Sequence, residues 1–224
     1  MTVSTNPDII FGTEIWIDSN IKDSQIFPSG YNIFRKDRNC GGCGVLTAVK
    51  EIYIVTSVPE HQTDSEIVWC KLELVGHKTV YLSCFYNPKT SNENGYLEFE
   101  RSINRADTIT NAFIITAGDF NLPGWETKSL KANTQHVNIH HKFTDILDDH
   151  GLVQMVEEPT RGSNTLYLII ANFPNCFNRI ETIPGLSDYD IVFAELHIIP
   201  TNRTQRPRKI PLHKKAKWEN IKEN

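Results

Sequence analysis

The sequence predicts a layered α/β domain, because two helical patterns stand among several short strand patterns in a chain of 224 residues. Hydrophobic residues make up 39% of the chain and charged residues 22%, a composition that excludes collagen-like and wholly disordered classes. No stretch is long and apolar enough to cross a bilayer, so we expect no membrane span. We expect one domain over residues 1–200, followed by a basic tail over residues 201–224.

The first half of the chain carries four strand patterns. Residues 8–17 are largely apolar but contain Glu14, a charge that is costly to bury unless another group pairs with it. Residues 51–57 and 66–75 are β-branched and partly alternating. A short polar turn separates them from the strand pattern of residues 79–86.

The period then changes to that of a helix. An apolar stripe at helical spacing is formed by Tyr96, Phe99, Ile103 and Ile109. The apolar run 112–117 predicts a buried strand, and a second helix is expected around residues 142–150, where Gly151 would stop it. Short strands are expected at residues 152–156, 165–170 and 190–199.

Polar or ionisable residues lie at or near the ends of several predicted strands, with Ser187-Asp188 just before the last of them. These are Thr13-Glu14, Tyr86-Asn87, Asp119 with Asn121, and Ser187-Asp188. Loops at strand ends collect ligand-binding groups in open α/β sheets, so these residues form a candidate site. Three carboxylates that converge there would repel one another unless a cation lies among them, and Mg²⁺ or Mn²⁺ suits oxygen ligands.

The combination of motifs resembles the endonuclease/exonuclease/phosphatase superfamily. Residues 118–121 read GDFN after an apolar strand, and residues 187–190 read SDYD, which is similar to the SDHD-type terminal motif of that superfamily. Residues 13–17 resemble the TETWL segment of its non-LTR retrotransposon branch. Further segments follow the same pattern in residues 30–38, 40–45, 85–88 and 164–169.

The resemblance implies a four-layered sandwich, with two β-sheets flanked by helices, that cuts phosphodiester bonds in DNA with a divalent metal ion. Glu14 and Asp188 would contribute to the metal site, and Tyr86 would hydrogen-bond the scissile phosphate. Asp119 would orient or deprotonate the attacking water, and Asn121 would hold the phosphate or the nucleophile. This chemistry needs a Lewis acid and a positioned base.

Three departures from the family fall at catalytic positions, so we expect impaired hydrolysis. The family has a first strand, ending in a metal-binding asparagine, before the Thr13-Glu14 segment, whereas this chain begins at Met1; the resemblance therefore implies a truncated domain. An aspartate of the family is replaced by Tyr167, and the histidine that it orients is replaced by Tyr189. A phenol cannot supply an imidazolium at neutral pH.

The tail and two further residues are candidate nucleic-acid contacts. Residues 201–224 carry eight Lys and Arg residues against two Glu residues, although the whole chain has a net charge of -4. The tail, including Arg208 and Lys209, is similar to the stretch that precedes a reverse transcriptase in retrotransposon polyproteins, which implies such a downstream partner domain. It also suits contact with a polyanion such as DNA. Trp125 is a candidate for base stacking at the rim of the site. Ser187 of the terminal motif is a further candidate contact.

Other interpretations remain open. The fold could be a non-catalytic nucleic-acid-binding remnant, or a phosphatase or phosphodiesterase that acts on small molecules. Cys40 and Cys43 have CxxC spacing, but a structural zinc site needs four ligands and no second CxxC pair is present. This favours a glycine-rich turn over a zinc site. Histidines 136, 140 and 141 lie near three aspartates in a polar loop that enters a helix. This setting favours exposed positions for them over a metal cluster. Five irregularly spaced cysteines indicate reduced thiols and an intracellular location, nuclear or cytoplasmic. The tryptophans, Trp16 among them, have roles available in the core or in loop packing.

Overall fold

A computed structural model describes residues 6–17, 20–38, 44–74, 76–90, 92–109, 112–124, 136–185 and 188–197. The strands of these residues are β1 (Ile9–Thr13), β2 (Tyr31–Lys36), β3 (Val45–Lys50), β4 (Ile54–Ser57), β5 (Glu66–Glu73), β6 (Val80–Tyr86), β7 (Phe113–Asp119), β8 (Val153–Gln154), β9 (Tyr167–Ala171), β10 (Phe177–Ile183) and β11 (Ile191–Leu196). The helices are α1 (Asp23–Ile26), α2 (Glu93–Asp107) and α3 (Val137–Asp149). The predicted tail over residues 201–224 lies outside the described residues.

A six-stranded sheet in the order β4-β5-β6-β7-β9-β8 is the centre of the fold. Its strands pair antiparallel except for β6 and β7, which are parallel. Parallel neighbours need a crossover between them, and α2 provides it. The carboxyl ends of β6 and β7 therefore lie at the same edge of the sheet.

Helices α2 and α3 cover one face of this sheet. Buried side chains of both helices form one apolar cluster with alternate residues of the strands, including Tyr96, Phe99, Ile103, Phe143, Ile146, Trp69, Phe85 and Leu168. The Trp69 indole also donates a hydrogen bond of 2.8 Å to Ser102 Oγ on α2. This buried bond satisfies the polar edge of a core tryptophan.

A second layer of strands covers the opposite face. It consists of the three-stranded sheet β1-β3-β2 and the hairpin β10-β11. Phe11 of β1 and Phe34 of β2 pack on the residues of the large sheet that point away from the helices. The period of two along each strand thus lets the large sheet bury both of its faces.

The predicted α/β class with two packed layers of sheet is confirmed. Most predicted elements are present, although α3 begins at Val137 instead of near residue 142 and β8 has two residues. Three strands escaped prediction, namely β2, β3 and β10. Both β2 and β10 carry charged residues and none of their residues is fully buried, so their apolar signal is weak. The absence of a strand before β1 stays a prediction.

The turn that ends β1 explains why this strand is shorter than predicted. Glu14 and Trp16 have φ values of 55° and 44°, in the left-handed region that ordinary strand residues avoid. The Ile15 amide donates a 3.3 Å hydrogen bond to the Gly44 carbonyl, which holds this turn against the residue that precedes β3. The chain therefore leaves the sheet after Thr13.

The described cysteines are Cys70, Cys84 and Cys176, and all three are buried free thiols. Burial raises the pKa of the Cys70 and Cys84 thiols to about 12, so both stay protonated at neutral pH. They behave as small apolar residues of the core. The described part of the chain contains no helix that is long and apolar enough to cross a membrane.

Gly118 allows β6 and β7 to approach one another at the candidate site. Its φ is 145°, and a Cβ at this position would lie 1.9 Å from the carbonyl oxygen of Phe85. Real Cβ atoms do not approach backbone oxygens so closely. The strand ends thus require glycine at this position for both conformational and steric reasons.

We predict that Gly118→Ala costs about 3 kcal/mol or more in the free energy of unfolding, because the strands must separate to admit a methyl group. The matched control is Gly151→Ala. Gly151 also has a positive φ, of 58°, but its added Cβ would meet nothing within 4 Å. The control should lose only about 1 kcal/mol, the cost of the left-handed backbone alone. Urea unfolding of both variants measures the difference, and equal losses would contradict the steric account.

Candidate active site

Strand register places three polar side chains in one row at an edge of the large sheet. Tyr86 is opposite Asp119 in the β6-β7 pair, and Asp119 is opposite Tyr167 in the β7-β9 pair. Paired residues of adjacent strands point to the same face of a sheet. These three side chains therefore face the second layer together.

The turn after β1 brings Glu14 to this row from the second layer. The Tyr86 hydroxyl donates a 2.7 Å hydrogen bond to Glu14 Oε1. One residue earlier, Thr13 Oγ1 donates a longer bond of 3.4 Å to the Tyr167 hydroxyl. The sequence gap of more than 70 residues between these partners is closed by the packing of the two layers. The site thus lies between the layers.

Asp119 is the most enclosed carboxylate of the site, with 0% of its surface exposed. The backbone amide of Asn121 donates a 2.9 Å hydrogen bond to Asp119 Oδ1. Asn121 lies in a turn and has a φ of 52°. The Tyr189 hydroxyl donates a 3.5 Å hydrogen bond to Oδ2. Both carboxylate oxygens therefore have a protein donor.

The pKa of Asp119 is raised to about 7, chiefly by burial and also by the negative charge of Glu14. The hydrogen bonds from Asn121 and Tyr189, together with the charge of Arg161, oppose this rise. A carboxyl group with a pKa near neutrality is divided between its acid and base forms at physiological pH. This is the property that a general base needs.

Two phenols lie on the other side of Asp119. The rings of Tyr167 and Tyr189 are 4.8 Å apart between centroids, at an angle of 32°. Burial raises the pKa of Tyr189 to about 12 and also raises the pKa of Tyr167, and the negative charge of Asp119 adds to both shifts. Both side chains are consequently neutral hydrogen-bond donors throughout the physiological range.

Arg161 is a site residue that the sequence analysis missed. Its Nη1 donates a 2.7 Å hydrogen bond to the Tyr189 hydroxyl, and its guanidinium carbon lies 4.5 Å from the centre of the Tyr189 ring. Its Nη2 is 2.5 Å from Asp188 Oδ2. The available signal was weak, namely a basic residue followed by the turn residues Gly162 and Ser163 directly before a strand.

The structure brings together most of the predicted site residues that it describes. Those that contact one another or influence one another's charge are Glu14, Tyr86, Asp119, Asn121, Tyr167 and Tyr189. Asp188 differs, because its side chain is 63% exposed and pairs with Arg161. Within the described ranges, no three His, Cys, Asp or Glu residues lie close enough to hold a metal ion together. The expected three-carboxylate cluster is therefore not formed by these residues.

A divalent cation fits the remaining carboxylates in a simpler way. Mg²⁺ commonly uses one or two carboxylates and takes its other ligands from water and substrate phosphate. Glu14 and Asp119 are two such carboxylates, and the effect of Glu14 on the pKa of Asp119 is an unfavourable interaction that a cation between them would relieve. The donor set thus suits a hard cation.

Several predicted residues lie outside the described part of the chain. These are Ser187, Trp125, Arg208, Lys209, Cys40 and Cys43.

Two expectations about single residues were wrong. Trp16 is 64% exposed instead of packed in the core or against a loop, and its φ of 44° lies in the left-handed region. His140 is buried instead of exposed, because it lies on the side of α3 that also carries the buried Phe143.

No family model matches the chain, and a search of curated proteins also finds no match. Solved structures do match. The endonuclease domain of TRAS1, a telomere-specific non-LTR retrotransposon, has a TM-score of 0.61 at 15% identity, over 77% of this chain and 82% of that one. The 3'-5' exonuclease NExo from Neisseria meningitidis has a TM-score of 0.64 at 14% identity, over 85% of this chain and 89% of that one.

A third likeness is to TDP2 from D. rerio in complex with a single-stranded DNA product, with a TM-score of 0.53 at 12% identity over 84% of this chain and 85% of that one. A protein described as an endonuclease/exonuclease/phosphatase family member, from Leptotrichia buccalis, also shares the fold. The chain therefore has the fold of the endonuclease/exonuclease/phosphatase superfamily, as its motifs predict, and resembles a retrotransposon endonuclease domain.

We predict that Asp119→Asn changes the pH dependence of stability. The raised pKa means that the folded protein binds a proton more tightly than the unfolded chain between about pH 4 and 7, so wild-type stability falls as pH rises through this range. The variant lacks this loss and should gain about 2–4 kcal/mol relative to the wild type between pH 4 and 8. Urea unfolding in the presence of EDTA across this range measures the gain.

The control for this comparison is Asp145→Asn, on the exposed side of α3. Its stability should follow the wild type at every pH. If the curves of Asp119→Asn and the wild type stay parallel, the burial account of Asp119 is wrong.

Proposed function

We propose that the chain is a divalent-metal-dependent DNA endonuclease domain, derived from a retrotransposon, that hydrolyses phosphodiester bonds slowly. The observation that carries this proposal is the arrangement around Asp119. A buried carboxyl group with a pKa near 7 lies between hydrogen-bond donors and beside a second carboxylate, at the junction of two sheets. The shared fold supports the same reaction class, because nucleases and phosphatases are among the proteins that have it.

Asp119 is the residue that would activate water. In its ionised form it can accept a proton from a water molecule, and the backbone amide of Asn121 holds the carboxylate in one orientation. The hydrogen bond from the Tyr189 hydroxyl to the other carboxylate oxygen is 3.5 Å long. A bond of this length is weak, so a substrate or a water molecule can replace it. The side chain of Asn121 would hold the phosphate or the nucleophile.

The phenols would bind the phosphate. The hydroxyls of Tyr86 and Tyr189 lie on either side of Asp119, and both already donate to carboxylate oxygens. A phosphate oxygen is a comparable acceptor, so the same hydroxyls can orient a phosphodiester. This arrangement positions the scissile bond beside the base.

Glu14 would hold the metal ion. When bound, a divalent cation supplies Lewis-acid stabilisation of the charge that develops on the phosphate. The chain's contribution is the carboxylate of Glu14, which accepts a 2.7 Å hydrogen bond from the Tyr86 hydroxyl until a phosphate oxygen takes that donor. We expect Mg²⁺ or Mn²⁺ at this position, because carboxylate oxygens and water are the ligands that these ions prefer.

DNA is the proposed substrate. NExo is described with a product DNA hairpin and D. rerio TDP2 with a single-stranded DNA product, and by analogy we extend nucleic-acid processing to this chain. A retrotransposon origin is supported by the likeness to the TRAS1 domain and by the basic tail that includes Arg208 and Lys209. We further propose a reverse transcriptase domain as partner, an intracellular site of action in the nucleus or cytoplasm, and contacts from Ser187 and Trp125.

The slow rate follows from the residues at positions 167 and 189. Neither phenol can carry positive charge, and the raised pKa of Tyr189 makes it a poor proton donor to a leaving group. General acid catalysis contributes about 10²–10⁴-fold in enzymes that possess it. A site that lacks this contribution can still use its base and its metal ion.

The second candidate is a nucleic-acid-binding remnant without catalysis. One observation favours it. Asp188, which the motif resemblance assigns to the acidic shell, is exposed and paired with Arg161. A site with fewer carboxylates and two phenols has lost parts that normally act as a unit, and such losses do not simply add.

We predict Mg²⁺-dependent nicking of supercoiled plasmid DNA by the full chain, and a loss of about 100-fold or more in Asp119→Ala. The loss follows because the variant has no base beside the scissile phosphate. EDTA should abolish the activity. The matched control is Asp145→Ala on α3, which should nick like the wild type. Equal residual nicking by the wild type and Asp119→Ala would leave only the non-catalytic remnant.

We also predict that the double variant Tyr167→Asp, Tyr189→His nicks faster than the wild type by about tenfold or more. An imidazole with an adjacent carboxylate can hold positive charge near neutral pH, which a phenol cannot. Single-turnover nicking at pH 6–8 measures the gain. If a folded double variant is no faster, the phenols do not limit the rate.

A further inference from the structure

Arg161 is fixed to the site by a tight turn. The Arg161 amide and the Asn164 carbonyl are 3.0 Å apart, and the Asn164 amide and the Arg161 carbonyl are also 3.0 Å apart, so the two residues form a closed bridge. Between them Gly162 has a φ of 59°, which makes the reversal possible. The backbone at Arg161 is therefore constrained although its side chain is 47% exposed.

Buried contacts attach this turn to the strands of the site. Thr160 has no exposed surface, and its Oγ1 accepts hydrogen bonds from the amides of Leu166 and Tyr167 at 2.9 and 3.0 Å. The Asp190 amide donates to the Thr160 carbonyl at 2.8 Å. The turn is thus tied both to the start of β9 and to the residues that precede β11. Arg161 is held where these two segments meet.

The guanidinium lies over the Tyr189 ring, with Nη1 at 2.7 Å from the hydroxyl and the central carbon at 4.5 Å from the ring centre. The same hydroxyl is 3.5 Å from Asp119 Oδ2. One phenol therefore separates the positive charge of Arg161 from the buried carboxylate. This cation-π contact positions a cation at the mouth of a site whose carboxylates, Glu14 and Asp119, are negative when ionised.

A phosphodiester carries a negative charge that such a site must neutralise. A guanidinium offers five N–H donors in a planar fork that matches phosphate oxygens, more donors than the contacts with Tyr189 and Asp188 use. Asp188 is the present ion-pair partner at 2.5 Å, but 63% of its side chain is exposed. Exposed ion pairs contribute little to stability, so an incoming phosphate can displace this carboxylate.

We propose that Arg161 binds a phosphodiester of the nucleic acid, with Tyr189 positioning the guanidinium and Asp188 occupying it in the absence of the ligand. This inference rests on the proposed function, because it takes nucleic acid as the ligand of the site. It assigns the substrate's charge to a protein side chain, independently of any metal ion.

The test is binding of a fluorescein-labelled DNA duplex by the full chain in EDTA, measured by fluorescence anisotropy over a series of salt concentrations. Arg161→Gln should raise Kd by about tenfold or more and reduce the salt dependence of log Kd by about one. Arg161→Lys keeps a point charge and should retain the salt dependence with part of the affinity. The matched control is Arg179→Gln, because Arg179 is a comparably exposed arginine that pairs with Glu181 on β10.

A double-mutant cycle with Asp188→Asn separates a phosphate site from a merely structural stacking role. Release of the guanidinium should tighten binding in Asp188→Asn, and the same substitution should have little effect in the Arg161→Gln background. If thermal melts show that Arg161→Gln is not folded, the DNA affinity of Asp188→Asn alone tests the proposal. An affinity equal to that of the wild type would then overturn it.

Two other results would overturn the inference. One is equal affinity of Arg161→Gln and Arg179→Gln, and the other is no measurable binding of DNA by the wild type. Because binding is measured without metal and without cleavage, it is independent of the nicking assay. A chain that binds through Arg161 but never nicks would sustain this inference and remove the catalytic proposal, and the reverse result would do the opposite.

Discussion

The carbonyl oxygen of Phe85 occupies the space that a side chain at position 118 would need, and the site depends on this contact between neighbouring strands. Because residue 118 is glycine, the last residues of β6 and β7 stay paired up to Tyr86 and Asp119. The antiparallel partner β9 then adds Tyr167 to the same row. A row of polar side chains at one edge is thus the result of backbone packing, and Glu14 reaches it only because the second layer packs on the same face.

Burial of Asp119 explains much of the chemistry around it. A buried carboxylate is costly, so several of its neighbours either donate a hydrogen bond or offset its negative charge. Asn121 and Tyr189 donate, and Arg161 contributes positive charge through the Tyr189 contact. The resulting pKa is a balance between these groups, the desolvation of the carboxyl and the charge of Glu14. The proposed catalysis and phosphate binding therefore draw on the same small network.

Much of the fold and part of the site could be predicted from the sequence. Apolar runs that end abruptly in polar residues marked the ends of β6 and β7, because a strand buried on both faces has a clear composition. The same logic failed for β10, where polar residues such as Arg179 and Glu181 interrupt the apolar ones and no residue is fully buried.

Long-range contacts account for the remaining errors. The position of Arg161 depends on the hydrogen bonds that Thr160 makes to Tyr167 and to Asp190, which precedes β11. No local sequence pattern encodes such contacts. Trp16 is exposed and has a left-handed backbone that is unusual for tryptophan. The pairing of Asp188 with Arg161 likewise depends on where the turn lies, so the sequence motif predicted a carboxylate cluster that the described residues do not form.

The division of the site between two layers has a consequence for motion. Tyr86 and Asp119 are on central strands of the large sheet, whereas Glu14 follows β1, an outer strand of the small sheet. Outer strands open more readily than central ones, and amide hydrogen exchange commonly reports such partial opening below the global unfolding threshold. Local detachment of β1 would disassemble the site while the helix-covered sheet remained native. The assembled site is thus more fragile than the folded state of the large sheet.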